Sequence, residues 1–296
     1  MSQQEFTLVI GATGTTGSRV AARLAADGRP VLAASRSAVS EVGAGAGLGV
    51  GPAAGAVAVR FDWDDPATFA AAVEGADRVY LVPPPGAPDP AAVMLPFLRQ
   101  ARTAGVRRAV LLSSSAIAAG GPAVGQVHQA LPELFPEWAV LRPSWFMQNF
   151  TGGHLHARTI AADGAIRTAA GDGRVGFVDA EDIAAVAVHA LTAPRSPDTD
   201  LVITGPQALS YDDIAATLTQ VTGRPVRHQH LSYEQLRDRL AAEMPAEFAA
   251  LLAGLDRAVA EGAEDRTTDT VLRLTGHAPN SFRAFAEREA GQRPRA

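Results

Sequence analysis

The sequence predicts an α/β fold: a doubly wound parallel sheet with a smaller, mainly helical C-terminal part. Three observations predict it. Short apolar, β-branched runs alternate with helical stretches over the first half of the chain. A glycine-rich turn joins the first of those runs to the first helix. Capped amphipathic helices then follow one another toward the C-terminus.

The elements justify themselves in order. Phe6–Ile10 is apolar and β-branched, long enough for a buried strand. Gly11-Ala12-Thr13-Gly14-Thr15-Thr16-Gly17 leads into a helix with Val20 and Leu24 on one face, ended by Gly28-Arg29-Pro30. Val31–Ala34 is the second strand and Ala56–Phe61 the third, with Glu41–Gly55 read as a Gly/Ala-rich loop that offers no chemistry. Asp65-Pro66 is a helix cap followed by proline at the first helical position. Asp77–Val82 is the fourth strand, ending in Val82-Pro83-Pro84-Pro85-Gly86; prolines cannot continue a ladder, so the chain leaves the sheet there. Pro90–Ala104 is a helix, Val106–Leu112 the fifth strand and Trp138–Leu141 the sixth. Alternation at this spacing implies parallel strands and a ligand crevice at their carboxyl edge.

The glycine turn has a physical task at each glycine. Gly11 permits the tight turn, Gly14 lets the backbone approach a pyrophosphate, and Gly17 lets the helix lie close to the sheet. The N–H groups of Thr13, Thr15, Thr16 and their neighbours then face the anion at a helix N-terminus. The alternative, a turn that binds nothing, fits the strand–turn–helix–strand context less well, and the reading is a dinucleotide-binding Rossmann domain. An NAD site usually places Asp or Glu about 20 residues further on. Here Ser35-Arg36-Ser37 stands instead, with no carboxylate before Glu41. A guanidinium between two hydroxyls suits a 2′-phosphate, which selects NADP(H); the plain alternative is a solvated arginine. Asp62 and Trp63 fall where such folds meet the adenine, and Val82 and Pro83 beside the nicotinamide.

Composition narrows the chemistry. Hydrophobic residues make up 47% of 296 and charged residues 19%, an ordinary globular balance. The net charge of -5 argues against a nucleic-acid surface, and no run approaches the roughly 20 apolar residues of a membrane span. Met1–Thr7 carries no export-signal pattern, so a cytoplasmic setting is expected. There is no cysteine, which removes disulfides and thiolate chemistry. All 26 cationic side chains are arginine. With no lysine, Schiff-base chemistry and any Tyr–Lys proton relay are excluded.

Gly11–Gly17, Ala34-Ser35-Arg36-Ser37, Leu111–Ser115 and Leu141–Phe150 together resemble the NmrA-like group of atypical short-chain dehydrogenases. Gly125-Gln126-Val127-His128, the Trp145–Phe150 stretch and Gly176–Ala185 are most similar to its festuclavine/agroclavine dehydrogenase branch. The resemblance covers nearly the whole chain. It implies a cofactor domain over 1–150, completed by roughly 176–204, and a substrate-binding domain from 151–175 and 205–296. Fungal members of that branch reduce an iminium in ergot alkaloid synthesis; the wider group includes quinone reductases and non-catalytic NADP sensors. Three functions therefore stand at this point: reduction of an imine or iminium in secondary metabolism, reduction of a carbonyl, enone or quinone, and NADP-responsive regulation. The expected partner is a small-molecule substrate, with the chain a monomer or homodimer.

Ordinary short-chain dehydrogenases use a Tyr-x-x-x-Lys pair with a serine, and Tyr80, Tyr211 and Tyr233 have no lysine to pair with. Carbonyl reduction needs a donor at the developing oxyanion, whereas an iminium carbon already attracts hydride. His128, on the helix after the fifth strand, is either an acid/base group or an ordinary helix histidine. Ser114 is the second catalytic candidate, and Ser113 a cofactor ligand, with capping as the alternative for both. Pro143, after Arg142, shapes the nicotinamide pocket. Pro84, Phe146 and Met147 are the substrate-contact candidates, with core packing the alternative for the last two. No metal is expected, and His154-x-His156 reads as a surface or hinge pair.

Later segments are structural. Asp179 and Asp182 start an amphipathic helix, Leu201–Thr204 returns to the sheet, and Ser210–Asp213 and Ser232–Gln235 cap two more helices. Phe248, Leu251, Leu252 and Leu255 make an apolar helix face, Gly262–Asp269 is polar and exposed, and Gln292–Ala296 frays.

Overall fold

Apolar, β-branched Phe6–Ile10 forms β1, flanked by β2 (Val31–Ser35) on one side and β4 (Ala76–Leu81) on the other, both parallel to it. With β3 (Ala56–Arg60), β5 (Arg108–Leu112), β6 (Glu137–Pro143) and β9 (Thr199–Ile203) these make a seven-stranded sheet, ordered β3-β2-β1-β4-β5-β6-β9. The Asp198 N–H donates to Trp138 O and the Ser144 N–H to Ile203 O, so β9 runs parallel to β6. Strand order reverses between β1 and β4, the topological switch point where doubly wound sheets open a crevice. This is the architecture expected from the sequence. The computed structural model describes residues 6–37, 56–87 and 89–292, so the loop read at 41–55 and all residues after 292 lie outside the described residues.

By its contacts the chain divides into two compact units. One takes in the chain up to Pro143, Ala180–Val202 and Arg273–Thr275; the other takes in Ser144–Asp179, Ile203–Leu272 and the chain from Gly276 on.

In the first unit, α1 (Gly17–Ala26) buries Val20 and Leu24, and α3 (Pro90–Thr103) buries Met94, Phe97 and Leu98. Phe61, Trp63, Phe69 and Phe97 form an aromatic nest with ring centroids 4.8 to 6.0 Å apart. The short α2 (Phe69–Val73) follows a 3-10 turn whose cap, Asp65, accepts from the Ala67 N–H, with Pro66 first in the turn. Arg108, nearly inaccessible, pairs with Glu137 and donates to the carbonyls of Ala190, Leu191 and Ala193, at and just past the C-terminus of α6 (Ala180–Thr192). A cation there satisfies orphan carbonyls and opposes the negative end of the helix dipole. Glu181, in the first turn of α6, receives Arg19 and Arg23 from α1.

The second unit is mainly helical. It contains α5 (Leu155–Asp163), α7 (Tyr211–Thr222), α8 (Tyr233–Ala241), α9 (Ala246–Ala260) and α11 (Phe282–Gln292); the short α10 (Thr270–Thr275) straddles the boundary. Full capping boxes start α7 (Ser210 with Asp213) and α8 (Ser232 with Gln235), as read from the sequence. Two small sheets were not anticipated: β11 (Arg227–His230) pairs parallel with β7 (Ala165–Thr168), and β8 (Arg174–Val175) antiparallel with β10 (Leu209–Ser210).

One local expectation is corrected and two are refined. Phe248 and Leu251 do not form the buried face of α9; they are 45% and 52% exposed, while Ala249 and Ala253 pack against Leu236 and Leu240. Alanines let α8 and α9 approach closely, and the larger side chains are turned out. Glu264, in the stretch expected to be exposed, is buried, accepts from the Ser144 hydroxyl and pairs with Arg266. Asp179 is more than a helix-start acid: fully buried, it receives Gln148, Asn280 and Arg288. Buried carboxylates persist when so satisfied.

Candidate active site

The loops after β1, β2, β4, β5 and β6 all leave the carboxyl edge of one parallel sheet. After β1, Gly11 sits at φ +71°, a left-handed conformation that favours glycine, and the Gly14 N–H donates back to its carbonyl at 2.8 Å. A Cβ on Gly17 would lie 2.2 Å from that same carbonyl oxygen, so only glycine lets α1 start against the turn. Gly14 differs. A Cβ there meets nothing nearer than 3.2 Å, so the protein's own packing hardly requires glycine at this exposed position. Main-chain N–H groups of Thr13, Thr15 and Thr16 have no recorded partner among the described residues. Together they form an anion-seeking concavity at a helix N-terminus. The Thr16 side chain is turned inward, its hydroxyl accepting from the buried Tyr80 at 3.0 Å, so only its main chain is left for a ligand.

On the far side of the switch point Val82 packs against Gly11, its Cβ 3.2 Å from where a side chain would begin. Pro83 and Pro84 follow it, both half-buried. The end of β2 presents Arg36 and Ser37 exposed, and Arg36 has no ion-pair partner among the described residues; Ser35 donates its hydroxyl to Ser37 O. Asp62 is half-buried, accepting from the Asp64 N–H. Trp63 is largely a core residue: its ring belongs to the aromatic nest and its indole N–H donates to Val82 O, which braces the switch point.

After β5 the serines separate in role. Ser113 Oγ is buried without a partner. Ser114 Oγ accepts from the Ala116 N–H, the capping alternative. Arg142 binds the carbonyls of Ser114 and Ser115 while paired with Asp200 at 2.6 Å, and Ser115 donates its N–H to Pro143 O. Sequence reasoning gave Arg142 no role, since its partners lie 27 to 58 residues away. His128, on α4 (Gly125–Leu134), is buried, and its Nδ1 is a second polar atom with no partner. Burial pulls this imidazole below the ordinary histidine value, with Asp200 opposing and Arg142 adding to the shift.

In the second unit, Met147 is corrected to a core residue, 1% exposed and packed near Gly205. Phe146 is half-buried, bridged through its backbone to Val178. His154 caps α5 through Nδ1, and His156 stacks on Phe150, burial lowering its pKa to about 3.

A glycine cradle, unpartnered main-chain donors and two buried polar atoms without partners define a dinucleotide-binding α/β enzyme. The chain matches the NAD(P)H-binding family model over residues 11–194 and the NmrA-like family model over residues 126–276, and it belongs to the NmrA-like family of NAD(P)H-binding proteins. It is 43% identical to the uncharacterized oxidoreductase YesF of Bacillus subtilis, covering 98% of this chain and 97% of that protein. It is 42% identical to agroclavine dehydrogenase of Claviceps fusiformis, covering 76% and 81% respectively. Among solved structures, a Citrobacter triphenylmethane reductase complexed with NADP(H) superposes with a TM-score of 0.75 at 22% identity, covering 97% and 100%. The protein is an NAD(P)H-dependent oxidoreductase. No described helix is long and apolar enough to cross a membrane.

Proposed function

We propose that the protein is an NADPH-dependent reductase that passes hydride to a small, flat organic electrophile, an imine or iminium of secondary metabolism. The observation that carries this reading is the lack of a phenolic proton donor. There is no lysine in the chain, and Tyr80 and Tyr211 are buried with their hydroxyl pKa values pushed up by desolvation. Tyr233 stands at the start of α8 beneath the Arg257 guanidinium, 4.7 Å from its ring centroid. An iminium, or an imine already protonated in solution, needs no such donor, since hydride arriving at carbon neutralises the nitrogen.

The residues present fit the dinucleotide. Gly11, Thr13, Gly14, Thr15, Thr16 and Gly17 would hold the pyrophosphate through main chain, Arg36 with Ser35 and Ser37 the 2′-phosphate, and Asp62 the adenine. Val82, Pro83, Ser113 and Pro143 would surround the nicotinamide, the carboxamide satisfying Ser113 Oγ. Bound NADPH supplies the hydride, and the chain supplies position and field. Pro84 is the proposed substrate contact in the first unit, and Phe146 in the second.

His128 supports a second reading, reduction of a carbonyl, enone or quinone. Its buried Nδ1 lacks a partner, and burial keeps the ring neutral near pH 7, so one ring nitrogen carries a proton for a developing oxyanion. Ser114 would assist it. NADPH oxidation with matched iminium and quinone panels separates the two. The first reading expects iminium turnover that changes less than about threefold in His128→Ala, and the second expects a loss of about 100-fold or more. Turnover of quinones alone would overturn the iminium assignment.

A further inference from the structure

β11 is a strand of unusual composition, Arg-His-Gln-His, and its two histidines share a face because strand side chains alternate. Parallel pairing fixes that face: His228 stands opposite Ile166, and His230 opposite Thr168 of β7. Opposite the histidines lies Asp212, in the first turn of α7, set there by the Ser210–Asp213 capping box. A single carboxylate oxygen, Asp212 Oδ2, is 3.2 Å from His228 Nδ1 and 3.3 Å from His230 Nε2. All three ligand atoms lie within 4.8 Å of one another.

We infer that Asp212, His228 and His230 form a binding site for a divalent first-row metal ion, with zinc the best match. A tetrahedral ion with bonds of about 2.0–2.1 Å holds its ligand atoms about 3.3 Å apart, the spacing from Asp212 Oδ2 to each imidazole nitrogen. Two imidazoles and one carboxylate are a borderline-hard set that suits zinc and leaves room for water as a further ligand. The supporting shell is also in place. His228 is buried, and its Nε2 lies 2.7 Å from Thr168 Oγ1, which already accepts the Ala170 N–H. With the Nε2–H donated to Thr168, Nδ1 turns its lone pair toward the carboxylate, an arrangement that a cation between them stabilises. Without metal, the other tautomer lets Nδ1–H donate to Asp212, so binding would shift the ring proton from Nδ1 to Nε2, where Thr168 accepts it. His228 also lies against the Tyr211 ring, 5.5 Å between ring centroids, which fixes the imidazole from its other side. His230 and Asp212 are half-exposed, which gives an ion a path in from solvent.

Asp212 and His228 are 16 positions apart, so the ion would clip the start of α7 to β11. This site is separate from the nucleotide cradle, and its test does not depend on turnover. Zinc chloride is titrated calorimetrically into EDTA-treated, dialysed protein, with thermal unfolding followed with zinc and with EDTA. The expected result is one zinc per chain, a higher Tm with zinc, and reversal by EDTA. His230→Ala, at an exposed position, should keep the fold by circular dichroism and lose the zinc response. Thr168→Val should weaken zinc by about 10- to 100-fold. Cobalt(II) should give tetrahedral visible bands in the wild type and none in His230→Ala. Absence of zinc binding, or equal binding in His230→Ala such as a site at His154 and His156 would give, overturns the inference.

Discussion

Gly14 and Gly17 offer a sharp test of the cradle, because the structure gives them different reasons to be glycine. A Cβ on Gly17 would sit 2.2 Å from Gly11 O and 2.7 Å from Gly11 C, against 3.4 Å or more for an ordinary contact. Relieving it takes more than 1 Å of movement of α1 off the β1 turn. Backbone shifts of that kind cost about 1–3 kcal/mol, partly offset by the better helix propensity of alanine. Gly17→Ala should therefore lower both Tm and cofactor affinity. A Cβ on Gly14 meets only Gly11 O at 3.2 Å, and no positive φ is involved. Gly14→Ala should leave unfolding within about 0.5 kcal/mol of wild type. Yet the added methyl would stand where a pyrophosphate must approach, and NADPH affinity should fall at least about tenfold. Calorimetric NADPH titration beside a thermal melt reads both quantities. A Gly14→Ala protein that binds NADPH like the wild type would refute placement of the pyrophosphate at this turn.

Arg36→Ala should weaken NADPH by about 10- to 100-fold, the worth of a charge-assisted contact, and leave NADH nearly unchanged; equal losses in paired titrations count against a 2′-phosphate contact. Asp256 is largely buried, accepts from the Ala169 N–H, and has its pKa raised by burial to about 6. A carboxyl group with a raised folded value opposes folding as pH climbs from about 4 through 6, so Asp256→Asn should stabilise by about 3 kcal/mol at pH 8 and by almost nothing at pH 4. His156 has the reverse sign. Its pKa falls to about 3, so the unfolded chain takes up the proton first, and stability should drop as pH falls from about 6.5 toward 3. His156→Phe should flatten that acid limb in urea melts at stepped pH; an unchanged slope would remove His156 as its cause. Tyr80→Phe strands the buried Thr16 hydroxyl, and a stability loss of about 1–3 kcal/mol is expected from chemical denaturation.

The cradle was legible because everything that specifies it is local. Strand, turn and helix occupy Phe6–Ala26, and the steric demand on Gly17 comes from Gly11, six positions back. The helix starts at Ser210 and Ser232 were equally readable, since a capping box closes within four residues. Apolar character was a weaker guide. Residue type says that Trp63, Met147 and Phe248 are apolar, while the structure decides that the first two lie in cores and the third on the surface.

By itself, the sequence determined the alternation of strands and helices, the glycine turn between β1 and α1, the arginine that follows β2 and the absence of any lysine chemistry. Periodicity and turn sterics act over a few residues, and composition needs no fold at all. Tertiary structure decided which polar groups meet: Arg142 with Asp200 and the serine carbonyls, Asp179 with Gln148, Asn280 and Arg288, and Asp212 with His228 and His230. β11 shows the reason. Its polar sequence has no apolar alternation to announce a strand, and it becomes one because β7 offers an edge; only then do two histidines share a face with a carboxylate from another element.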